Sequence, residues 1–445
     1  MSIIKRIQKF YKSSKSLLFT TPAHSLGNFI IPSLKNILGE KYFKSDFSEI
    51  EGFDNLRNPE GAIKDLQANI AKIYNAESSF ILTNGSSSGV ISAMLATLKP
   101  NDKVLIARNC HISVYNGLVL TGANPIWFMP EFDKEWGIFK GITSENIKKI
   151  INKDIKALII TSPTYEGNFS DIEEISKICK ENKVLLIVDE AHGALLNFSD
   201  YKSKSAIHCG ADITIQSLHK TAGAPNPCAL MHISKNISHQ NVQEALNLVN
   251  TTSPSYPLIA AIEGTVSYLN TLKGTGHIKK LFSDIEKFKQ SLDKNIQVYN
   301  ANNDRTKILL KFKNINALKV AEILNNDYKI EEEFTNNQAL LFITGIGTDA
   351  KKLKTLSNAL NKIAKLKQEI IEHTEFEYKI PAVKFTPRDA YFMPAIAQPK
   401  EQTIGLVSAE TIVPYPPGIP LILPGEIIDE QVLPYIDKNE IKVIL

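Results

Sequence analysis

The sequence predicts an α/β protein with a mainly parallel sheet, helices on both faces, and a smaller α/β domain after it. Two observations carry that prediction. Between residues 79 and 216, apolar runs of strand length alternate with segments of helical pattern. Polar residues cluster at the ends of those runs or just beyond: 84–88, His111, 161–164, Asp189 and Lys220. Open α/β sheets bind ligands outside the carboxyl ends of their strands.

The elements follow in order. Residues 1–20 are basic and carry Ile3, Ile4, Ile7, Phe10 and Tyr11 at helical spacing. They predict a short amphipathic helix that packs against a partner subunit, with membrane-surface binding as the alternative. The segment lacks the apolar core of a signal peptide. Residues 21–27 and 53–61 read as loops, and a helix through about residue 76 places Ile63, Leu66, Ile70 and Ile73 on one face. Strands are expected at 79–83, 103–107, 125–128, 155–161, 184–188 and 213–216. Helices are expected at 90–98, from His111, from Thr143-Ser144-Glu145 to about 152, and at 171–181. Gly274 to Gly276 and the lysine-rich helix after them mark a break between domains. Beyond it, 307–312, 317–324, 339–346 and 349–366 read strand, helix, strand, helix, so an antiparallel sheet is expected there. The final stretch, from Pro381, is rich in proline. The division is 1–20, 21–285, 286–375 and 376–445.

Composition narrows the function. A chain of 445 residues suits two or three domains. A net charge of +4 with dispersed lysines argues against nucleic acid as a partner. Cys110, Cys179, Cys209 and Cys228 form no C-x-x-C pair and no zinc spacing, so reduced thiols in a cytoplasmic protein and no metal are expected. No apolar run reaches the ~18–20 residues of a membrane span.

The chemistry centres on two strand ends. Residues 184–188 run into Asp189-Glu190-Ala191-His192-Gly193, and 213–216 run into Ser217-Leu218-His219-Lys220-Thr221. A lysine and an acid so placed suit pyridoxal 5'-phosphate: the lysine holds its aldehyde, and the acid pairs with its protonated ring nitrogen. Lys220 alone also reads as a surface lysine, and Asp189 as an acid at a sheet edge. The turn Gly85-Ser86-Ser87-Ser88 offers hydroxyls and amides to a phosphate at a helix N-terminus, or is simply an N-cap. Ser217 could add a hydroxyl to the same phosphate. His111 reads as a helix-start residue or as an imidazole stacked on the cofactor ring; His192 and His219 line the site or cap loops.

Taken together, these stretches resemble the Orn/Lys/Arg decarboxylases of pyridoxal-phosphate fold type I, over residues 21 to 426. The matching pieces are Asn84-Gly85-Ser86-Ser87-Ser88, Arg108-Asn109-Cys110-His111-Ile112-Ser113 and Thr161-Ser162-Pro163-Thr164-Tyr165-Glu166-Gly167. They continue with Asp189-Glu190-Ala191-His192-Gly193-Ala194, Ser217-Leu218-His219-Lys220-Thr221 and Thr251-Thr252-Ser253-Pro254-Ser255-Tyr256. Tyr415-Pro416-Pro417-Gly418-Ile419-Pro420 and Pro424-Gly425-Glu426 complete the set. The resemblance implies a seven-stranded sheet and a compact form without an N-terminal wing domain. It implies Lys220 as the lysine that holds the cofactor, Asp189 at the ring nitrogen and His111 on the ring. Ser86, Ser87, Ser88 and Ser217 would hold the phosphate, with Thr252 or Ser253 entering from a neighbouring subunit. Thr164, Ala191 and His192 would line the pocket, and Lys220 or a histidine such as His219 would reprotonate the substrate. Glu426 would meet the cationic end of a basic amino acid, arginine before lysine or ornithine, in a homodimer serving polyamine synthesis.

The sequence departs from the family pattern at Ala23 and Ser25, at Ile112, and at Asn226-Pro227; two of these changes remove a lysine near the pocket. The rivals are another reaction of the same cofactor, such as transamination or β-elimination, and a non-catalytic homologue. Transamination calls for an arginine at the substrate carboxylate, and Arg6, Arg57, Arg108, Arg305 and Arg388 lie in no evident pocket motif.

Overall fold

The computed structural model describes residues 2–13, 17–50, 52–301, 303–366, 379–413, 420–436 and 438–445. The motif residues Tyr415 to Ile419 lie outside them.

Seven strands form the central sheet: β1 (Ser78–Leu82), β2 (Lys103–Ala107), β3 (Asn124–Phe128), β4 (Ile155–Thr161), β5 (Leu185–Asp189), β6 (Ile213–Ser217) and β7 (Ala229–Ile233). Their order is β1-β7-β6-β5-β4-β2-β3. β2 to β6 are parallel, and β7 is antiparallel to both its neighbours. β7 was not expected from the sequence. It follows β6 after one turn of helix, Leu218–Thr221, and a short loop. That link is too short for a parallel crossover, so the chain returns antiparallel.

The strands are apolar on both faces because both faces are covered. Ile187, Ile213, Ile215 and Met231 share one core with the helices Gly85–Thr97 and Ile112–Thr121. Leu158, Ile160, Leu186 and Val188 share another with the helix Ile172–Asn182. Alternation along β5 and β6 therefore sends neighbouring residues into different layers.

A second, antiparallel sheet contains Ile296–Val298, Lys307–Phe312, Phe334–Thr335 and Leu340–Ile343. The C-terminal segment pairs Ala395–Pro399 with Glu440–Ile444 over its own core of Ile412, Leu421, Ile422, Ile428 and Val432.

One expectation is corrected. The N-terminal helix Ile3–Ser13 packs on its own chain, with Ile3 and Ile7 buried beside Ile259 and Ile262. The Glu263 carboxylate accepts from Ile3 N at 3.0 Å and Ile4 N at 2.8 Å, an anion at a helix N-terminus. Gly274 and Gly276 lie in the helix Leu272–Gln290, whose Thr271 cap accepts from Gly274 N, and the second sheet begins after that helix.

Candidate active site

β5 and β6 carry the two groups that matter most to the same edge of the sheet. Their ladder pairs Val188 with Thr214 and Asp189 with Ile215; β5 then ends, while β6 runs on to Ser217 paired with β7. Asp189 is buried at the tip of β5, and its Oδ1 accepts from Ala191 N at 3.0 Å. Beside it in register, Thr161 ends β4 with a buried hydroxyl that has no hydrogen-bond partner.

Lys220 sits in the helical turn after β6, half-buried, with Nζ 2.9 Å from His192 Nε2. Burial lowers the lysine's pKa; Asp189 opposes that, Lys307 adds to it and Glu333 opposes it. Burial also holds the His192 pKa well below its usual value, and the charge of Lys220 adds to the effect. His192 is thus a neutral acceptor for the ammonium. Its proton is on Nδ1, which is buried without a partner.

His111 caps the helix Ile112–Thr121: its Nδ1 accepts from Ser113 N at 3.1 Å. That bond assigns the proton to Nε2. Desolvation by the surrounding protein lowers the pKa of His111, against the pull of Asp189. The helix-cap reading and the ring-stacking reading of His111 are therefore compatible.

The serine turn divides its labour. Gly85 has φ +80°, which an L side chain adopts only under strain, and this brings the chain into the helix Gly85–Thr97. Asn84 makes no side-chain cap, so no side chain of the N-cap competes for the first amides. Ser86 Oγ lies 2.8 Å from Ser217 Oγ, joining the turn to the end of β6, and Ser87 is exposed. Ser88 differs from expectation: its hydroxyl is buried and donates to Gly85 O at 2.8 Å, so its proton is already engaged.

Other expected residues are placed as follows. Thr164 Oγ1 accepts from Asn168 N at 3.1 Å within its own loop. His219 Nδ1 lies 3.2 Å from Cys228 O, tied to the backbone before β7. Thr252 and Ser253 are exposed on the loop before the helix Tyr256–Leu269. Glu426 is paired within the chain and is not a free anion. Arg108 grips it bidentately, Nη1 to Oε1 at 2.6 Å and Nη2 to Oε2 at 2.7 Å, and Leu423 N donates to Oε2 at 2.7 Å. Both side chains are buried, and Arg108 also donates to Leu421 O at 3.1 Å. A substrate cation here would have to displace Arg108 and leave a guanidinium unpaired inside the protein.

Sequence reading missed three neighbours of the site. Lys307 is fully buried beside Asp304 (3.5 Å) and Thr306 (3.1 Å), and its stem crosses Gly167, where a Cβ would fall 2.7 Å from Lys307 Cγ. Glu333 accepts from the Tyr165 hydroxyl at 2.8 Å; the Tyr165 ring meets His192 edge-on, with centroids 5.3 Å apart. Glu190, next to Asp189, is buried and accepts three hydrogen bonds. Arg108 and Glu190 lay inside quoted motifs, but nothing in the sequence shows their partners. Lys307 and Glu333 come from the second sheet, and nothing local marks them.

These residues fit pyridoxal phosphate. Two hydroxyls converge at uncapped helix amides, a carboxylate ends a neighbouring strand, and a lysine of lowered pKa lies beside it. The orphaned Thr161 hydroxyl next to Asp189 is a buried polar group left for a ligand to satisfy.

Comparison with known proteins agrees. Residues 4–314 match the Orn/Lys/Arg decarboxylase major domain, and residues 372–441 match the C-terminal domain of that family. The chain is 32% identical over 451 residues to an arginine decarboxylase of Bacillus subtilis, covering 97% of this chain and 92% of that one. It is 30% identical over 440 residues to an arginine decarboxylase of Halalkalibacterium halodurans, covering 95% and 90%. The inducible lysine decarboxylase of Escherichia coli is 24% identical over 548 residues, with 98% and 76% covered. Among solved structures, a lysine decarboxylase of Francisella novicida superposes with a TM-score of 0.86 at 22% identity, over 100% of this chain and 81% of that one, which supports the fold. The chain belongs to the Orn/Lys/Arg decarboxylase family, decarboxylases of basic amino acids that depend on pyridoxal phosphate.

Proposed function

We propose that this chain decarboxylates arginine to its amine and carbon dioxide, with lysine and ornithine as weaker substrates. The observation that carries the chemistry is the Lys220–His192 contact of 2.9 Å at the edge where Asp189 also ends its strand. The preference for arginine is supported by the arginine decarboxylases that match the chain nearly end to end. Bound pyridoxal phosphate supplies an electron sink for the pair left on the substrate Cα as carbon dioxide departs.

The chain's own residues do the rest. Ser86, Ser87, Ser217 and the amides that open the helix Gly85–Thr97 hold the phosphate. Asp189 would pair with the ring nitrogen, and His111 would lie against the ring. Lys220 would hold the cofactor covalently at rest, and burial lowers the pKa of its amine once released. Neutral His192 accepts from Lys220 Nζ and would orient the protonated amine toward Cα, where its proton would be delivered. Thr164 and Ala191 shape the pocket wall, and His219 steadies the turn.

Glu333 is the acid we assign to the substrate's far cationic end, in place of Glu426. It is exposed, it is steadied by Tyr165 over His192, and its charge is felt at Lys220. A homodimer is also part of the reading. Thr252 and Ser253 stand exposed where a neighbour's site would use them, and Phe19, Phe29, Ile31 and Ile37 leave an apolar surface for a second copy.

The test is to supply arginine, lysine and ornithine separately to the protein purified with pyridoxal phosphate, and to detect amine and carbon dioxide by mass spectrometry. One amine in turnover amounts, absent with Lys220→Ala, is expected from arginine. Visible cofactor absorbance without amine from any of the three would overturn the reading.

A further inference from the structure

The ladder between β5 and β6 ends at Asp189 and Ile215, just short of the working groups. Asp189, Ile215 and Ser217 face the layer of the helix Gly85–Thr97, where Ile215 packs and Ser217 meets Ser86. Glu190 and Gln216 turn the other way, and their side chains meet there: Gln216 Nε2 donates to Glu190 Oε2 at 2.5 Å. Neither side chain touches solvent, since Glu190 and Gln216 are both 0% exposed. Glu190 also accepts from Ser205 Oγ at 3.0 Å and Ala206 N at 2.7 Å, which ties the pair to the rear layer. Its backbone N–H donates to Ile215 O at 2.9 Å. Gly193 closes over it: a Cβ there would fall 2.4 Å from Glu190 Cγ.

We infer that Glu190 and Gln216 form a rear clamp that fixes the tip of β5, with Asp189, against the tip of β6, with Ser217 and Lys220. They are positioning residues and touch neither substrate nor cofactor. The clamp deepens the decarboxylase reading and rests on it. The ring-nitrogen acid, the phosphate hydroxyl and the lysine must stay in one fixed relation for a rigid cofactor to meet all three, and errors of a fraction of an ångström are costly there.

The clamp also localises charge. Burial raises the Glu190 carboxyl to about 8, with Asp189 next door adding to the effect. Protonated Glu190 places no second negative charge beside Asp189, where the cofactor's ring nitrogen would sit. Ser205 Oγ serves either state, because a hydroxyl both donates and accepts. Tyr74 and Cys209 are the other titratable groups coupled to Glu190; burial raises the pKa of both, and a charge on Glu190 would add to that.

The experiment compares wild type with Glu190→Gln, Glu190→Ala, Gln216→Leu and Ser205→Ala. The readouts are equilibrium binding of pyridoxal phosphate to each apoprotein, the pH titration of the bound cofactor's visible absorbance, and kcat against KM. Glu190→Ala and Gln216→Leu are expected to weaken cofactor binding at least ~10-fold, to move the absorbance titration by about one pH unit, and to lower kcat more than they raise KM. Ser205→Ala should shift the same readouts less, and Glu190→Gln should stay within ~3-fold of wild type. The inference is overturned if well-folded Glu190→Ala and Gln216→Leu keep the wild-type titration and cofactor affinity, or, where those two do not fold, if Ser205→Ala keeps both unchanged. Wild type that binds no cofactor would instead defeat the decarboxylase reading itself.

Discussion

Two groupings of ionisable side chains in this fold are built on opposite principles. At the Arg108–Glu426 pair, both carboxylate oxygens and the guanidinium fork are engaged, by each other and by the backbone at Leu421 and Leu423. Trp127 covers the guanidinium, 5.1 Å from its ring centroid. At Lys220, the hydrogen-bond partner among the described residues is neutral His192, which keeps an unpaired Nδ1, and the Thr161 hydroxyl is orphaned. Closed valences make a joint, here between the sheet and the C-terminal segment. Open valences, held at a cost in desolvation, make a place for chemistry. Glu426 has the residue type of a substrate anchor, but its bonds are those of the joint.

Substitutions test that contrast, the largest effect first. Lys220→Ala should reduce kcat by ~10⁴-fold or more while leaving the denaturation midpoint nearly unchanged, as measured by steady-state kinetics and urea melts. Arg108→Ala should do the reverse in kind: a stability loss of about 3–5 kcal/mol by urea denaturation, because Glu426 is left buried without its partner. Replacing both members with apolar residues should recover most of that loss. If Glu426→Gln instead raised KM for arginine in a fully stable protein, the joint would have to be read as a binding site.

Glu333→Gln is expected to raise KM for arginine by roughly 10- to 100-fold, the range of a charged hydrogen bond, with an unchanged melting temperature. Equal KM values in wild type and variant would return the far-end anion to some other group.

The smallest effect is a slope. Glu190 has its folded pKa raised from 4.5 to about 8 by burial. A raised pKa means that the folded state holds the proton more tightly. The stability it contributes is therefore fully present below pH 4.5 and is lost as pH rises through about 8. In that window wild type should lose up to about 1.4 kcal/mol per pH unit relative to Glu190→Gln, read as diverging urea midpoints between pH 5 and 8.

The sequence alone determined the periodic, local features. Apolar runs of strand length named β1 to β6 to within a residue or two, because a strand buried on both faces has to be apolar throughout. Lys220, Asp189, His111 and the serine turn were legible because each lies at a strand end or helix start, where hydrogen bonding with near neighbours shows in the spelling. Tertiary structure decided everything that depends on partners distant in the chain. Arg108 meets Glu426 across 318 positions, and Tyr165 meets Glu333 across 168. Glu190 meets Gln216 across 26, on the face of the sheet away from the site. The N-terminal helix had an apolar stripe that the sequence assigned to another subunit, and only the fold showed Glu263 and Ile259 waiting for it in the same chain. A side chain's type gives the charge it brings. Whether that charge is free to act is set by what the rest of the chain places against it, because a buried ion with all its bonds made has nothing left to offer a substrate.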